Sequence, residues 1–127
     1  MRRLLARLQQ TVAVSVTRER VGFASARREV TIDAAVRVAP DGRILGFGAR
    51  GAAGGAQVMP LFPPGASDVD ERALVALCRR GLALALGPWG LLRPRVVVRG
   101  AERVQLSAAT LARALRAAGA ATVELVD

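Results

Sequence analysis

Alternating apolar and polar residues run through the first third of the chain. Val12, Val14 and Val16 fall on one side of the stretch 11–16, as expected for a strand with one buried face. Three more stretches rich in apolar and β-branched residues follow at 20–25, 29–39 and 43–47, and a turn at 40–42 (Pro-Asp-Gly) separates the last two. Strands joined by such short turns predict an antiparallel meander.

The last third of the chain predicts a strand, a helix and a second strand. The valine-rich run Arg95–Arg99 is too short for a helix, and Thr122–Val126 is a second run rich in β-branched residues. Between them, Ser107 can cap a helix that Gly119 can close. This order indicates a βαβ unit, with parallel strands and a right-handed crossover.

The longest predicted helix lies in the middle of the chain. It starts at Ser67-Asp68, where Asp68 and Glu71 have the spacing of a capping box, and it ends at Gly87-Pro88. The Gly- and Ala-rich stretch 48–55 before it lacks both the spacing and the Lys-Ser/Thr pair of a phosphate-binding loop. We interpret it as a connector. Together the elements predict an α/β fold with a mixed five-stranded sheet.

The first ten residues are expected to form a short, basic, amphipathic helix. Such a helix can lie on an anionic membrane surface or against a partner, or it can dock on its own domain. The residues available for a membrane or partner contact are Arg2, Arg3, Leu4, Leu5, Arg7 and Leu8. No apolar run approaches the roughly 20 residues of a membrane span, and we recognise no signal peptide.

Composition narrows the classes of function. The 127 residues, 52% of them hydrophobic, suit one globular domain that spans 1–127. The chain has no histidine, which excludes His-based acid–base catalysis and His metal sites. The single cysteine, Cys78, is expected in the core of a protein from the reducing cytoplasm. All 19 basic residues are arginine and the net charge is +9, which favours polyanionic partners even though a GC-rich genome also enriches arginine.

Several short strings, in order along the chain, resemble the start of bacterial actins of the MreB rod-shape family. The stretch 14–18 (Val-Ser-Val-Thr-Arg) is similar to the family's first strand with its Asp-x-Gly-Thr phosphate loop. Gly46-Phe47-Gly48 and the stretch 60–68 resemble the segments that precede the family's first long helix. The stretch 94–98 (Pro-Arg-Val-Val-Val) and the closing stretch 117–127 are similar to later family strands.

The resemblance implies the first large subdomain of such a protein, with a ribonuclease-H-like (actin-like ATPase) fold. It also places a degenerate phosphate loop at three residues. Ser15 stands where the family has aspartate, Thr17 replaces its glycine, and Arg18 adds a bulky cation. Phosphate loops hold phosphate through backbone N–H groups that the ligand must approach closely. We therefore expect no catalytic residue, no cofactor and no metal site, and a loss of ATP hydrolysis and of actin-type polymerisation.

The leading hypothesis from the sequence is a non-catalytic, truncated MreB-like protein that binds other proteins. The expected partner is a full-length bacterial actin or the cell-wall synthesis machinery, and a homo-oligomer is also open. The expected location is cytoplasmic, with peripheral contact at the inner face of the membrane through 1–10. The alternative is a basic module for nucleic acid or anionic membrane, nucleic acid being the less favoured of the two. A two-metal nuclease is disfavoured because the first strand, 11–16, carries no acidic residue.

Overall fold

The fold contains eight strands and two helices among the residues that the computed structural model describes, which are 10–48, 57–62, 70–87, 92–104 and 107–126. The helices are α1 (Glu71–Leu86) and α2 (Ala108–Ala117), and a short 3-10 turn spans Ala101–Val104. The strands, in chain order, are β1 (Thr11–Val16), β2 (Arg20–Ala24), β3 (Glu29–Asp33), β4 (Ala35–Val38), β5 (Ile44–Phe47), β6 (Gln57–Pro60), β7 (Arg95–Arg99) and β8 (Thr122–Val126).

The main sheet has five strands in the order β3-β2-β1-β7-β8. Strands β1, β2 and β3 pair antiparallel, whereas β1, β7 and β8 run parallel. The predicted mixed sheet and the predicted βαβ unit are therefore confirmed. The parallel register sets Ser15 of β1 beside Arg99 of β7, and Arg99 beside Val126 of β8.

One face of the main sheet is covered by both helices. Alternation puts Val12, Val14 and Val16 of β1 on that face, each at most 2% exposed. Phe23 of β2 and Val98 of β7 are fully buried on the same side. The helices supply the opposing layer, in which the most deeply buried leucines are Leu74, Leu77, Leu111 and Leu115. Apolar area removed from water at this interface is the main source of the fold's stability.

A second sheet of three strands, in the order β5-β4-β6, corrects the prediction of one long strand over 29–39. The chain leaves the main sheet at Ala34, which is 3% exposed. Its N–H donates to the carbonyl of Glu19 and its carbonyl accepts from Leu61, both at 2.8 Å. Because both of its backbone groups bond to residues outside the main sheet's ladder, Ala34 separates β3, which ends at Asp33, from β4, which starts at Ala35. The meander therefore has three strands, and the predicted strand 43–47 belongs to the second sheet.

The start of α1 also differs from the prediction. Asp70, not Asp68, is the N-cap, and its side chain accepts a hydrogen bond from the N–H of Ala73 at 3.2 Å. The helix ends at Gly87, as predicted, with φ at +67°. In α2 the predicted cap is confirmed, because the hydroxyl of Ser107 accepts from the N–H of Thr110 at 3.0 Å.

Several predicted segments lie outside the described residues. They are the N-terminal stretch 1–9, most of the connector 48–55, the predicted helix start at Ser67-Asp68, and Asp127. No helix in the described part of the chain is long and apolar enough to cross a membrane.

Candidate functional site: the β1–β2 turn and an arginine groove

The turn between β1 and β2 holds the three residues of the predicted degenerate phosphate loop. Ser15 is exposed at the carboxyl end of β1 and pairs across the sheet with Gly22. Thr17 and Arg18 form the exposed turn that follows. The structure thus places the three predicted residues together at the end of β1. In open α/β sheets, ligands commonly bind at the carboxyl ends of parallel strands.

The same turn is closed by its own hydrogen bonds. The N–H of Thr17 donates to the carbonyl of Arg20 at 2.9 Å, and the Thr17 hydroxyl donates to that carbonyl at 3.0 Å. The N–H of Arg20 in turn donates to the Thr17 hydroxyl at 3.0 Å. Two N–H groups of the turn are thereby engaged within the chain, whereas a phosphate loop offers such groups to its ligand.

The end of β7 presses against this turn through Gly100. Gly100 has φ at +88°, and a Cβ atom there would collide with the backbone oxygen of Val16. The charges beside it are of both signs, because Arg18 and Arg20 flank Glu19 in the turn and the carboxylate of Asp33 lies 3.8 Å from Nε of Arg20 in an exposed ion pair. Within the described ranges, no group of three Asp, Glu, Cys or His side chains is placed to hold a metal ion.

A shallow depression of about 330 Å³ lies on the uncovered face of the main sheet, beside the turn. Its floor consists of small side chains in register across β1, β2 and β3: Ala13, Ser15, Gly22, Ala24 and Thr31. Of these residues, the sequence analysis singled out Ser15 alone. The only signal in the sequence is that the polar-side positions of β1 and β2 carry small side chains.

A larger groove of about 810 Å³ lies between the β4–β5 hairpin and α1. We call it the arginine groove and define it by Arg37, Ile44, Phe47, Arg79, Arg80 and Leu84. The sequence analysis missed it because its residues come from the β4–β5 hairpin and from α1, which are far apart along the chain. Leu45 at its edge is 50% exposed.

Cys78 lies in the core of α1 and is 1% exposed. Burial raises the pKa of its thiol to about 12, because the thiolate would lose its hydration. The thiol therefore stays protonated at neutral pH and packs as a small apolar group, as the sequence predicted. The predicted contact residues Arg2, Arg3, Leu4, Leu5, Arg7 and Leu8 lie outside the described residues, and their role stays a prediction.

The chain has an actin-like fold, in which a mixed sheet is covered by helices. It superposes on MreB 5 of Spiroplasma citri bound to AMPPNP with a TM-score of 0.69 and 10% sequence identity, over 94% of this chain and 38% of that one. It also superposes on a non-polymerising mutant of MamK bound to AMPPNP, with a TM-score of 0.60 and 15% identity, over 93% of this chain and 40% of that one.

The likeness to these proteins concerns the fold, since the sequence identities are low. The chain spans about two fifths of the length of each of them. Scans of the sequence against known protein families and against curated proteins give no match.

Proposed function

We propose that this protein is a non-catalytic, MreB-like actin relative that acts by binding another protein of the bacterial cytoskeleton, cell-shape or cell-wall machinery. The observation that carries the proposal is the β1–β2 turn. At the place where the resemblance puts the phosphates of a nucleotide, the N–H groups of Thr17 and Arg20 are bonded within the turn. A protein with the fold of an actin and a self-bonded phosphate turn retains surfaces for partners rather than a site for ATP.

Two further features support this view. Ser15 stands where the resemblance expects an aspartate, so no carboxylate is available at that position for a Mg²⁺ ion. Gly100 packs the end of β7 against the backbone oxygen of Val16, close to the start of the turn. The ribonuclease-H-like topology of the resemblance belongs to the same proposal, and it agrees with the strand order β3-β2-β1-β7-β8.

Calorimetric titration with Mg·AMPPNP, the nucleotide named with both structural neighbours, tests the loss of nucleotide binding. We expect no saturable heat up to about 1 mM nucleotide. A dissociation constant of about 1 mM corresponds to a binding free energy of only about −4 kcal/mol. The matched variant Ser15→Asp, Thr17→Gly, Arg18→Thr carries the family's motif and shows whether the loop residues alone are responsible. Saturable binding by the natural sequence would overturn the proposal.

Cosedimentation with a purified, full-length MreB from the same organism tests the protein-binding half of the proposal. We expect the protein to pellet with the filaments at about 0.3 M salt, where exposed charge–charge contacts are largely screened. Failure to pellet with MreB, together with clear binding to a polyanion, would favour the alternative function.

The alternative is a basic module for nucleic acid or anionic membrane, and the net charge of +9 is the observation that favours it. Binding to phosphate-rich surfaces releases counterions, so it weakens steeply with salt. Titration of a DNA duplex and of vesicles containing anionic lipid, at about 50 and about 200 mM salt, gives the test. A loss of affinity of about 10³ or more between these concentrations would support the alternative.

A further inference from the structure

The arginine groove runs along the open edge of the second sheet. Four consecutive residues of β5, Ile44, Leu45, Gly46 and Phe47, line it. Successive side chains of a strand point to opposite faces, so a groove that touches all four lies along the edge of the strand. Strand β5 is an edge strand, since the order in this sheet is β5-β4-β6. Its outer backbone groups can pair with an added extended segment.

The groove combines apolar walls with positive charge. Ile44 and Phe47 are partly buried against the core, and Leu84 of α1 lies on the opposite wall. Arg79 and Arg80 of α1 are exposed at the groove, and Arg79 also donates to the carbonyl of Ala117 at 3.5 Å. None of the described residues that line the groove is acidic. The ion pairs Arg20–Asp33, Arg43–Asp41 and Arg113–Glu71 lie outside the groove. The groove therefore offers positive charge beside an apolar wall.

The side chain of Arg37 lies over the backbone of the neighbouring strand, β5. In the register of β4 and β5 it stands opposite Gly46, and its guanidinium occupies the space that a side chain at Gly46 would fill. A β-bulge at this point leaves Leu45, between Ile44 and Gly46, without an opposite residue on β4. Gly46 thus makes room for a cation close to the exposed Leu45.

From this arrangement we infer that the arginine groove binds an extended, acidic segment of a partner protein that carries bulky apolar side chains. The backbone of the segment pairs with β5, its carboxylates face Arg79 and Arg80, and its apolar side chains fill the space between Ile44 and Leu84. A duplex would present phosphates but nothing to cover the apolar wall, and a flat bilayer does not enter a groove. The inference rests on the proposed function and names the surface and the partner chemistry that it needs.

Fluorescence anisotropy with defined peptides tests the inference. The probe is a labelled peptide of alternating glutamate and leucine, and the controls are polyglutamate of equal length and a version with alternate residues changed to proline. Arg80→Glu is compared with Arg95→Glu, which makes the same charge change on the exposed face of β7. We expect Arg80→Glu to weaken binding of the probe by about tenfold or more and Arg95→Glu by less than about twofold, because close charge pairs dominate the loss.

The variants and control peptides also define the results that would contradict the inference. Equal losses in the two variants, equal binding of polyglutamate, equal binding of the proline peptide, or displacement of the probe by a DNA duplex would each overturn the groove as the site. Sedimentation velocity of the free protein tests whether it self-associates. If the protein forms a dimer and Arg80→Glu makes it monomeric, the groove binds a second copy of this chain, and the inference of a different partner protein is overturned.

The same titrations in the presence of Mg·AMPPNP separate this inference from the proposed function. If nucleotide binds while the peptide still depends on Arg80, the non-nucleotide role fails and the groove stands. If nucleotide does not bind and the peptide shows no dependence on Arg80, the groove fails and the proposed function stands.

Discussion

Gly81 of α1 lies directly against the ring of Phe23 of β2. A Cβ atom at Gly81 would overlap three atoms of the ring, and Phe23 is fully buried. Glycine inside a helix normally costs about 1 kcal/mol relative to alanine. Here it lets the helix approach the sheet closely enough to cover Phe23.

Replacement of Gly81 by alanine is therefore expected to destabilise the protein. The gain in helix propensity is about 1 kcal/mol, whereas overpacking in a tight core costs about 1–3 kcal/mol. Chemical denaturation should show a net loss, the reverse of a usual Gly→Ala change in a helix. In the double variant Gly81→Ala, Phe23→Leu the smaller side chain makes room, so its loss should be less than the sum of the single losses. Additive losses would show that the ring is not the cause.

A comparison of Gly100→Ala with Gly42→Ala measures how much a steric overlap with the backbone costs in free energy of unfolding. Both have φ near +90°, at +88° and +89°. A Cβ atom at Gly100 would meet the backbone of Val16, whereas one at Gly42 would meet nothing within 4 Å. Left-handed strain alone costs about 1–2 kcal/mol in Gly42→Ala. Gly100→Ala adds the overlap and should cost about 2–5 kcal/mol in free energy of unfolding. Similar losses in the two variants would contradict the contact between β7 and the β1–β2 turn.

Cys78 is expected to make stability fall at high pH. Burial raises the pKa of its thiol from 9.0 to about 12. Its contribution is complete below pH 9, where the thiol is protonated in both states. Above pH 9 the unfolded chain releases the proton while the folded chain keeps it, so the free energy of unfolding decreases by up to about 1.4 kcal/mol per pH unit until the folded pKa is reached.

Denaturation measured at several pH values from 8 to 11 checks this prediction, with Cys78→Ala as the control. The chain has no lysine, tyrosine or histidine, so few other groups titrate in this range. The variant should be less stable at neutral pH, and its stability should depend less on pH above 9. An equal slope in both proteins would show that the thiol is not responsible.

Asp70 is expected to anchor the start of α1 through its side chain. Loss of an N-cap acceptor costs about 1 kcal/mol, so Asp70→Ala should lower the free energy of unfolding by about that amount. Asp70→Asn keeps the acceptor for the N–H of Ala73 and should retain most of the stability. The predicted cap, Asp68, provides the comparison. If Asp68→Ala lowers the free energy of unfolding more than Asp70→Ala does, Asp68 and not Asp70 is the N-cap.

The candidate site was predictable only in part. The resemblance to MreB pointed to Ser15, Thr17 and Arg18, and these residues do lie together at the end of β1. Their identities did not show that the turn would close through Thr17 and Arg20, because that closure depends on backbone geometry. No pattern in the sequence predicted the arginine groove, since Arg37 and Arg80 come together only when the second sheet packs beside α1.

The stretch 29–39 shows the limit of periodicity most clearly. Its apolar positions alternate with no glycine or proline, so nothing local indicates that the chain changes sheets at Ala34. The change is decided by hydrogen bonds to Glu19 and Leu61, which lie 15 and 27 residues away along the chain. Alternation reports that a side chain will be buried, but not which element will bury it.

The sequence by itself determined the elements whose information is local. The alternation of β1, the βαβ unit from Arg95 to Val126 and the cap at Ser107 all follow from side-chain period and from hydrogen bonds within a few residues. Tertiary structure alone decided the second sheet, the contact of Gly81 with Phe23 and the edge groove beside β5. These depend on which surfaces meet across the chain, and that is settled by packing and by long-range backbone pairing.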